Sequence, residues 1–362
     1  MPRVIGIDPG TVSLDLCGLD EGRVFLDRSI STPAALADPG LVVSLLESAA
    51  PLDLVVGPSG YGLPVAAMRD LTETDLRLAC LSPTGEPGGI GGLASLMRAL
   101  AHATVPVVVT PGVVHMVSVP TYRKTNRVDM GTADKVCATA LAIHEQAERR
   151  RCSARDVSLI LLELGGAFTA AIAVEDGRIV DGLGGSSGPM GVTASGALDA
   201  EVAFLAERVT KVMVFSGGAL TIAGTPDARA EMLVDARTPR GRMAWDAYVE
   251  SAVKAVATLA VSAPRAREVV LSGRLARVDG VRRTLADRLS ATWGQMSVSI
   301  LEGLGTVAKQ AAQGAALLAD GLAGGRSADL VDGLGLRQAS GTVLDHLYLI
   351  SPAAARARLG IP

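Results

Sequence analysis

The chain has 362 residues, 49% of them hydrophobic, which is enough for one large domain or two ordinary ones and excludes a disordered protein. Its 34 basic and 37 acidic residues give a net charge of -3, so no long-range positive field attracts DNA or RNA. Aromatic residues make up 3%, too few for the stacking surfaces of single-strand binders. We therefore expect no nucleic-acid partner.

The hydrophobic residues are spread too evenly for a membrane protein. No apolar run of about 18 residues is free of charges, prolines or glycine clusters. The chain opens on a strand-like pattern, with the charged Asp8 where a signal peptide needs apolar residues. The cysteines share no C-x-x-C spacing that would indicate a metal site or a disulfide framework. We expect a cytoplasmic protein that makes no membrane contact.

The first predicted elements form a three-stranded meander. Its strands are expected at residues 3–7, 12–19 and 23–30. Helical and strand patterns then alternate, with a helix at 41–48, a strand at 52–56, a helix at 92–101 and a strand at 105–109. A meander followed by such alternation predicts a mixed sheet covered by helices.

A long helix at residues 131–150 leads into a second meander, with strands predicted at 157–164, 168–174 and 178–183. Further helices are predicted at 196–209, 227–235, 242–261, 280–289 and 306–322, and strands at 268–271 and 297–301. Residues 344–350 are expected to form a final strand or a tail that packs back on the body. Since the second half repeats the element order of the first, we predict two lobes, residues 1–150 and 151–340, and a tail at 341–362.

Two hairpins carry the strongest chemical signal. In the first, Asp8 ends an apolar strand, and Gly10 and Thr11 form the turn after it. Backbone N–H groups of such a turn can face phosphate oxygens, and the acid can hold Mg²⁺ through water. The alternative is an ordinary Asp-Pro-Gly turn without a ligand.

The second hairpin repeats this pattern, with Glu163 near the end of an apolar strand, followed by Gly165 and Gly166. Two such hairpins, one in each half, would hold a phosphate chain from both sides, with Asp8 and Glu163 as water-mediated Mg²⁺ ligands. The alternative is a pair of unrelated hairpins.

Other segments give weaker signals. A strand at residues 269–271 runs into Gly273, which permits close approach of a flat ligand such as adenosine. Small residues share one face of each of two predicted helices: Ala133, Cys137, Ala140 and Ala147 on one, and Ala308, Ala312, Ala315 and Ala319 on the other. Such faces are typical of a hinge between lobes, and the alternative is that they merely reflect an Ala-rich chain. The Gly-rich residues 88–92 favour a flexible loop on the substrate side over a phosphate loop.

A basic segment at residues 122–129 precedes the long helix at 131–150. Its cations could capture a carboxylate or γ-phosphate, and Asp129 could act as a base or metal holder. We predict that Arg127 and Asp129 face the acceptor at the floor of the cleft. The alternative is a basic surface loop.

Taken together, the order of parts resembles the superfamily of acetate and sugar kinases, heat-shock chaperones and actin. Within it the chain is most similar to butyrate kinases and a butyrate-kinase-like family. This likeness is carried by residues 210–220 with Gly217 and Gly218, by residues 177–181 followed by Gly188-Pro189, and by Val128-Asp129. It covers nearly the whole chain and is most specific between residues 159 and 318.

The resemblance implies an α/β fold of two actin-like lobes, each a mixed, ribonuclease H-like sheet opened by a meander, with an ATP cleft between them. It implies ATP and Mg²⁺ as cofactors, a small-molecule acceptor, and a phosphate site that includes Gly217 and Gly218. It is also compatible with a homodimer. The expected reaction is phosphoryl transfer to a carboxylate or hydroxyl, and the alternative is a regulatory ATPase that switches with its nucleotide.

Three positions differ from the pattern of the carboxylate kinases. The first hairpin has Asp8 where some acetate kinases carry an Asn, and in this it is more similar to sugar kinases. The carboxylate kinases have a His where this chain has Glu163, and an anion there disfavours a carboxylate acceptor unless Mg²⁺, Lys124, Lys135 or Arg127 neutralises it. They also have a second glycine where this chain has Arg274, which could stack on adenine or obstruct it.

Overall fold

The computed structural model describes residues 2–81, 92–294 and 296–361. The predicted loop at residues 88–92 therefore lies outside the described residues except for Gly92. Within the described ranges the strands form two mixed sheets, one in each half of the chain.

The first sheet contains six strands in the order β3-β2-β1-β4-β6-β5. These strands are β1 Arg3–Pro9, β2 Ser13–Asp20, β3 Arg23–Ser31, β4 Leu54–Val56, β5 Ala66–Ala67 and β6 Val107–Val109. The meander β1-β2-β3 is antiparallel, as predicted, whereas β4 runs parallel to β1 and β6 runs parallel to β4.

The second sheet has the order β11-β10-β7-β8-β9. Its strands are β7 Leu159–Leu164, β8 Thr169–Glu175, β9 Arg178–Leu183, β10 Glu268–Ser272 and β11 Ser297–Ile300. Here too the meander is antiparallel, and two parallel strands extend it on the side of its first strand. The repeat of element order predicted from the sequence is thus a repeat of sheet topology, and the chain forms the predicted two-lobed α/β fold.

Helices cover both sheets. They are α1 Thr32–Ala37, α2 Gly40–Ser48, α3 Glu73–Cys80, α4 Leu93–Ala101, α5 Thr121–Lys124, α6 Ala133–Arg150, α7 Ala200–Leu205, α8 Lys211–Val214, α9 Ala219–Ala223, α10 Pro239–Ala260, α11 Asp279–Thr292, α12 Gln310–Leu322, α13 Ala328–Leu334 and α14 Pro352–Arg358. None of the helices in the described ranges combines the length and apolarity that crossing a membrane requires.

Helices α6 and α12 pack closely because their contacting positions are small. A Cβ at Gly314 of α12 would overlap the carbonyl of Cys137 in α6, and one at Gly6 of β1 would overlap the backbone of α12. The small-residue faces predicted on both helices are buried. This crossing brings the first turns of both helices to the end of β1.

The second sheet is buried on both faces, so its first strand is apolar over most of its length. Leu159 and Leu161 pack in a core shared with α6, α12 and the first sheet, whereas Ile160 and Leu162 pack in a second core with α10 and α11. Burial on both sides fixes the position of β7 and therefore of Glu163 near its end.

Several predicted elements differ in the structure. The helix predicted at 196–209 is only α7, that at 227–235 is a single 3₁₀ turn at Ala230–Leu233, and that at 306–322 begins at Gln310. The last difference has a clear cause, since Asp27 accepts hydrogen bonds from the backbone N–H groups of residues 306–308 and holds them outside the helix. Residues 344–350 form no strand and lead into α14.

Candidate functional site

A cavity of about 860 Å³ lies where the carboxyl ends of β1 and β7 meet. It is lined by residues of both sheets and by the first turns of α6 and α12. Most of the residues predicted to form a site line it: Asp8, Gly10, Thr11, Asp129, Glu163, Gly165, Gly166, Gly273 and Arg274. The structure therefore places both predicted phosphate hairpins on one cavity.

The first hairpin places two carboxylates side by side. Asp8 lies near the end of β1, and its cross-strand partner in β2 is Asp15, so both side chains lie on the same face of the sheet. Like charges in this arrangement repel, and Lys309 compensates with its Nζ 3.1 Å from Asp15 Oδ2. Lys309 immediately precedes α12 and also lines the cavity.

Asp8 is buried in a region with excess negative charge. Its pKa is raised to about 7, mainly by burial and then by the negative charge of Asp134, whereas Lys309 and Lys135 act in the opposite direction and Glu163 raises it further. A carboxyl group with this pKa can both hold a cation and exchange a proton near neutral pH.

Lys135 joins two carboxylates at the side of the cavity formed by the second hairpin. Its Nζ lies 2.7 Å from Glu163 Oε1 and also forms an ion pair with Asp134. Burial disfavours the charged form of Lys135, but Asp134 and Glu163 outweigh it and raise its pKa above the ordinary range. Of the three cations that could neutralise Glu163, Lys135 is the one paired with it in the described structure.

Glycines open the cavity at the second hairpin. The Gly165 N–H donates to the Phe168 carbonyl at 3.0 Å and closes the turn, and a Cβ at Gly166 would meet no atom within 4 Å. At Gly273, φ is +83°, and a Cβ would lie 2.6 Å from the Leu164 carbonyl oxygen at the end of β7. Glycine is therefore required at Gly273, where the chain turns past the cavity.

Arg274 lies at the rim. Its guanidinium makes an ion pair of 2.7 Å with Glu231, and its side chain is 52% exposed. This pair holds the guanidinium beside the mouth of the cavity, where a ligand base could meet it.

Three predicted site residues lie elsewhere in the described structure. Arg127 does not line the cavity, since its guanidinium donates to the Ser187 carbonyl at 3.2 Å. Gly217 and Gly218 also lie off the cavity, packed against residues 193–195. The basic segment failed as a cavity floor because its cations cap carbonyl groups, as Lys124 caps Met116 at 2.9 Å.

Asp129 reaches the cavity but is already well bonded. Its Oδ2 accepts hydrogen bonds from the N–H and hydroxyl of Ser186 at 2.9 and 2.8 Å, and Oδ1 accepts one from the Gly131 N–H at 3.2 Å. These hydrogen bonds hold the Asp129 carboxylate in place, and they are more typical of a residue that positions the backbone around a site than of one that transfers a proton.

The cavity also has an apolar wall that no motif predicted. It is formed by Leu76, Ala79, Cys80, Leu93 and Ala94, with Phe168 and Phe215 from the second half of the chain. The two phenylalanine rings meet edge to face, with centroids 4.7 Å apart. Lys211 lies over the ring of Tyr61 at 5.1 Å, so the two halves touch across the cavity.

Sequence reasoning also missed Asp134 and Lys309 as site residues. An adjacent acid and base at the start of α6 offered a local signal for Asp134. Lys309 had no comparable signal beyond being a lone cation ahead of an Ala-rich helix, because its partners Ser13 and Asp15 are almost 300 residues away.

A family model described as "Protein of unknown function (DUF1464)" matches residues 6–349. The chain belongs to this DUF1464 family. No curated protein matches its sequence.

Several solved structures are similar to the fold. A propionate kinase from Francisella tularensis has a TM-score of 0.62 at 13% identity, covering 87% of this chain and 98% of that one. An acetate kinase from Entamoeba histolytica has a TM-score of 0.59 at 15% identity, covering 80% and 87%. The acetate kinase from Porphyromonas gingivalis has a TM-score of 0.56 at 14% identity, covering 80% and 88%. This DUF1464 protein thus has the two-lobed α/β fold of the actin-like ATPase type that the sequence predicted.

Proposed function

We propose that this protein is an ATP-dependent kinase that transfers the γ-phosphoryl group of Mg·ATP to an oxygen of a small acceptor. One observation carries the proposal. The cavity continues past the two phosphate hairpins to the apolar wall at Leu76 and Leu93, which offers an acceptor a surface apart from the phosphate chain. A volume of about 860 Å³ lies at the upper end of the range for ligand sites.

The residues present fit a nucleotide. Gly166 leaves its turn open, Gly10 admits Lys309 at the first hairpin, and Gly273 and Arg274 also line the cavity. We assign the phosphate chain to the two hairpins and the adenosine to the region of Gly273 and Arg274.

Fewer side chains suit Mg²⁺ than the two carboxylates, Asp8 and Glu163, that the sequence predicted. Among the described residues no three His, Cys, Asp or Glu side chains converge to hold a metal by themselves. Glu163 is occupied by Lys135 at 2.7 Å and does not suit a metal ligand. Asp8 does suit one, since its carboxylate lines the cavity and forms no ion pair within 4 Å in the described structure; its pKa is raised mainly by burial and then by Asp134, which a bound cation would offset. Asp8 would hold Mg²⁺, and the cation would neutralise part of the negative charge of the ATP phosphates.

The chain's own groups would then act on the acceptor oxygen. That oxygen forms a bond to the γ-phosphorus as the bond from the γ-phosphorus to the bridging oxygen of ADP breaks. A hydroxyl acceptor also loses its proton, and the group in the cavity with a pKa nearest to neutral is the Asp8 carboxyl, at about 7. Lys135 reduces the repulsion that Glu163 and Asp134 exert on the transferred group.

The Glu163–Lys135 pair leaves the acceptor class open between carboxylates and hydroxyls. Because Lys135 screens the charge of Glu163, an anionic acceptor can approach, and a butyrate-kinase-like activity is one form of the proposal. The apolar wall favours an acceptor with a hydrocarbon portion in either class.

A screen of ADP formation tests the proposal. Purified protein with Mg·ATP is supplied with short carboxylates, hydroxy acids and polyols in turn. We expect at least one acceptor to accelerate ADP formation and to appear as a phosphorylated product. Nucleotide binding with acceptor-independent hydrolysis would instead favour the regulatory ATPase, and the absence of nucleotide binding would remove both functions.

A further inference from the structure

Lys309 is held at the first phosphate hairpin by two contacts. Its Nζ donates to the Ser13 carbonyl at 3.1 Å and lies 3.1 Å from the buried carboxylate of Asp15. An ammonium group has three N–H donors, so these contacts leave one for a ligand. The side chain is 40% exposed and lines the cavity.

The turn is shaped to admit this ammonium group. A Cβ at Gly10 would overlap Lys309 Nζ, so the absence of a side chain there brings the cation against the tip of the hairpin. Gly10 thus does more than allow backbone N–H groups to face a phosphate.

The other lysine at the phosphate end cannot serve in the same way. Lys135 lies between Asp134 and Glu163, whose two negative charges exceed its own. Lys309 is paired within 4 Å with one carboxylate, Asp15, which also accepts a hydrogen bond from the Ser13 hydroxyl at 2.8 Å, and it acts on Asp8 and Glu163 only at longer range. Lys309 is therefore the cation with capacity to attract a further anion.

We propose that Lys309 binds the phosphate chain of the nucleotide, so that the start of α12 completes a phosphate site that the two hairpins only partly form. This rests on the proposed function, because it takes ATP or ADP as the ligand of the cavity. Asp15 is the positioning residue that aims the ammonium at the hairpin tip.

Calorimetry with Mg·ADP and with adenosine tests the assignment in the full chain. Lys309→Met should weaken Mg·ADP by about 10- to 100-fold, the usual worth of a charge-assisted hydrogen bond, and leave adenosine within about threefold. Lys309→Arg should restore part of the affinity. The control Lys254→Met breaks an exposed ion pair with Glu250 on one helix, and it should change the affinity for neither ligand.

A second measurement needs no variant. Amine-reactive labelling followed by peptide mass spectrometry should show Mg·ADP protecting Lys309 in the wild-type protein and leaving Lys254 reactive. An equal loss of affinity for Mg·ADP and for adenosine in Lys309→Met would indicate a structural role and overturn the proposal. Wild-type binding of Mg·ADP without protection of Lys309 would overturn it while leaving the kinase proposal in place, whereas no wild-type binding would overturn both.

Discussion

Asp8→Asn should stabilise the protein while removing its activity. The Asp8 side chain is 6% exposed, and its pKa rises from 3.8 to about 7 through burial and the nearby Asp134. Because the pKa of Asp8 is higher in the folded state than in the unfolded state, its favourable contribution to the free energy of unfolding is fully present below pH 3.8 and is lost as the pH rises towards 7. Three pKa units correspond to about 4 kcal/mol.

The amide does not titrate, so the advantage of the variant should grow with pH. We expect Asp8→Asn to exceed the wild type by about 2 kcal/mol at pH 5 and about 4 kcal/mol at pH 8, in the absence of nucleotide and Mg²⁺. Urea unfolding followed by circular dichroism at both pH values gives these differences. Turnover should fall by about a hundredfold or more, because the cation-holding charge is gone.

A control lies on the same hairpin. Asp20→Asn breaks the partly exposed pair with Arg3 and should cost at most about 1 kcal/mol, with no gain at high pH. The reasoning is refuted if Asp8→Asn is no more stable than the wild type at pH 8, or if its advantage is the same at both pH values.

Three further changes test the site around Asp8. Lys135→Met leaves Asp134 and Glu163 without their shared cation, and it should lower the free energy of unfolding by about 3–5 kcal/mol at pH 8 in the urea assay, less at pH 5 where the carboxylates protonate. Glu163→Gln removes a negative charge that raises the pKa of Asp8, so the acidic limb of the pH–rate profile should move to lower pH. An unchanged limb would show that the charge of Glu163 does not affect Asp8. Gly273→Ala forces a Cβ to within 2.6 Å of the Leu164 carbonyl at a φ of +83°, and calorimetry should show weaker Mg·ADP binding, whereas unaltered affinity and stability would remove Gly273 from the site.

The parts of the fold set by short-range rules were predictable. The bounds of β9 match the prediction because Asp176 and Gly177 both adopt positive φ, at +51° and +70°, as the hairpin turn between two strands requires. Both phosphate hairpins were located in the same way. A glycine turn after an apolar strand depends on residues adjacent in the chain, and so the sequence alone is enough to predict it.

The remaining features depend on distant partners. The start of α12 is set by Asp27, and the place of Lys309 by Asp15, in both cases from the opposite end of the chain. Arg127 looked like an anion binder, but the fold places the Ser187 carbonyl beside it. A cation in a loop can find a backbone carbonyl as readily as a substrate, and only the packed structure decides between them.

A crystal structure with Mg²⁺ and a non-hydrolysable ATP analogue tests the central claim most directly. The account predicts phosphates between residues 8–11 and 165–166, with Lys309 in contact and the adenosine beside Gly273. A nucleotide bound outside this cavity, or none bound at millimolar concentration in a folded protein, would contradict it.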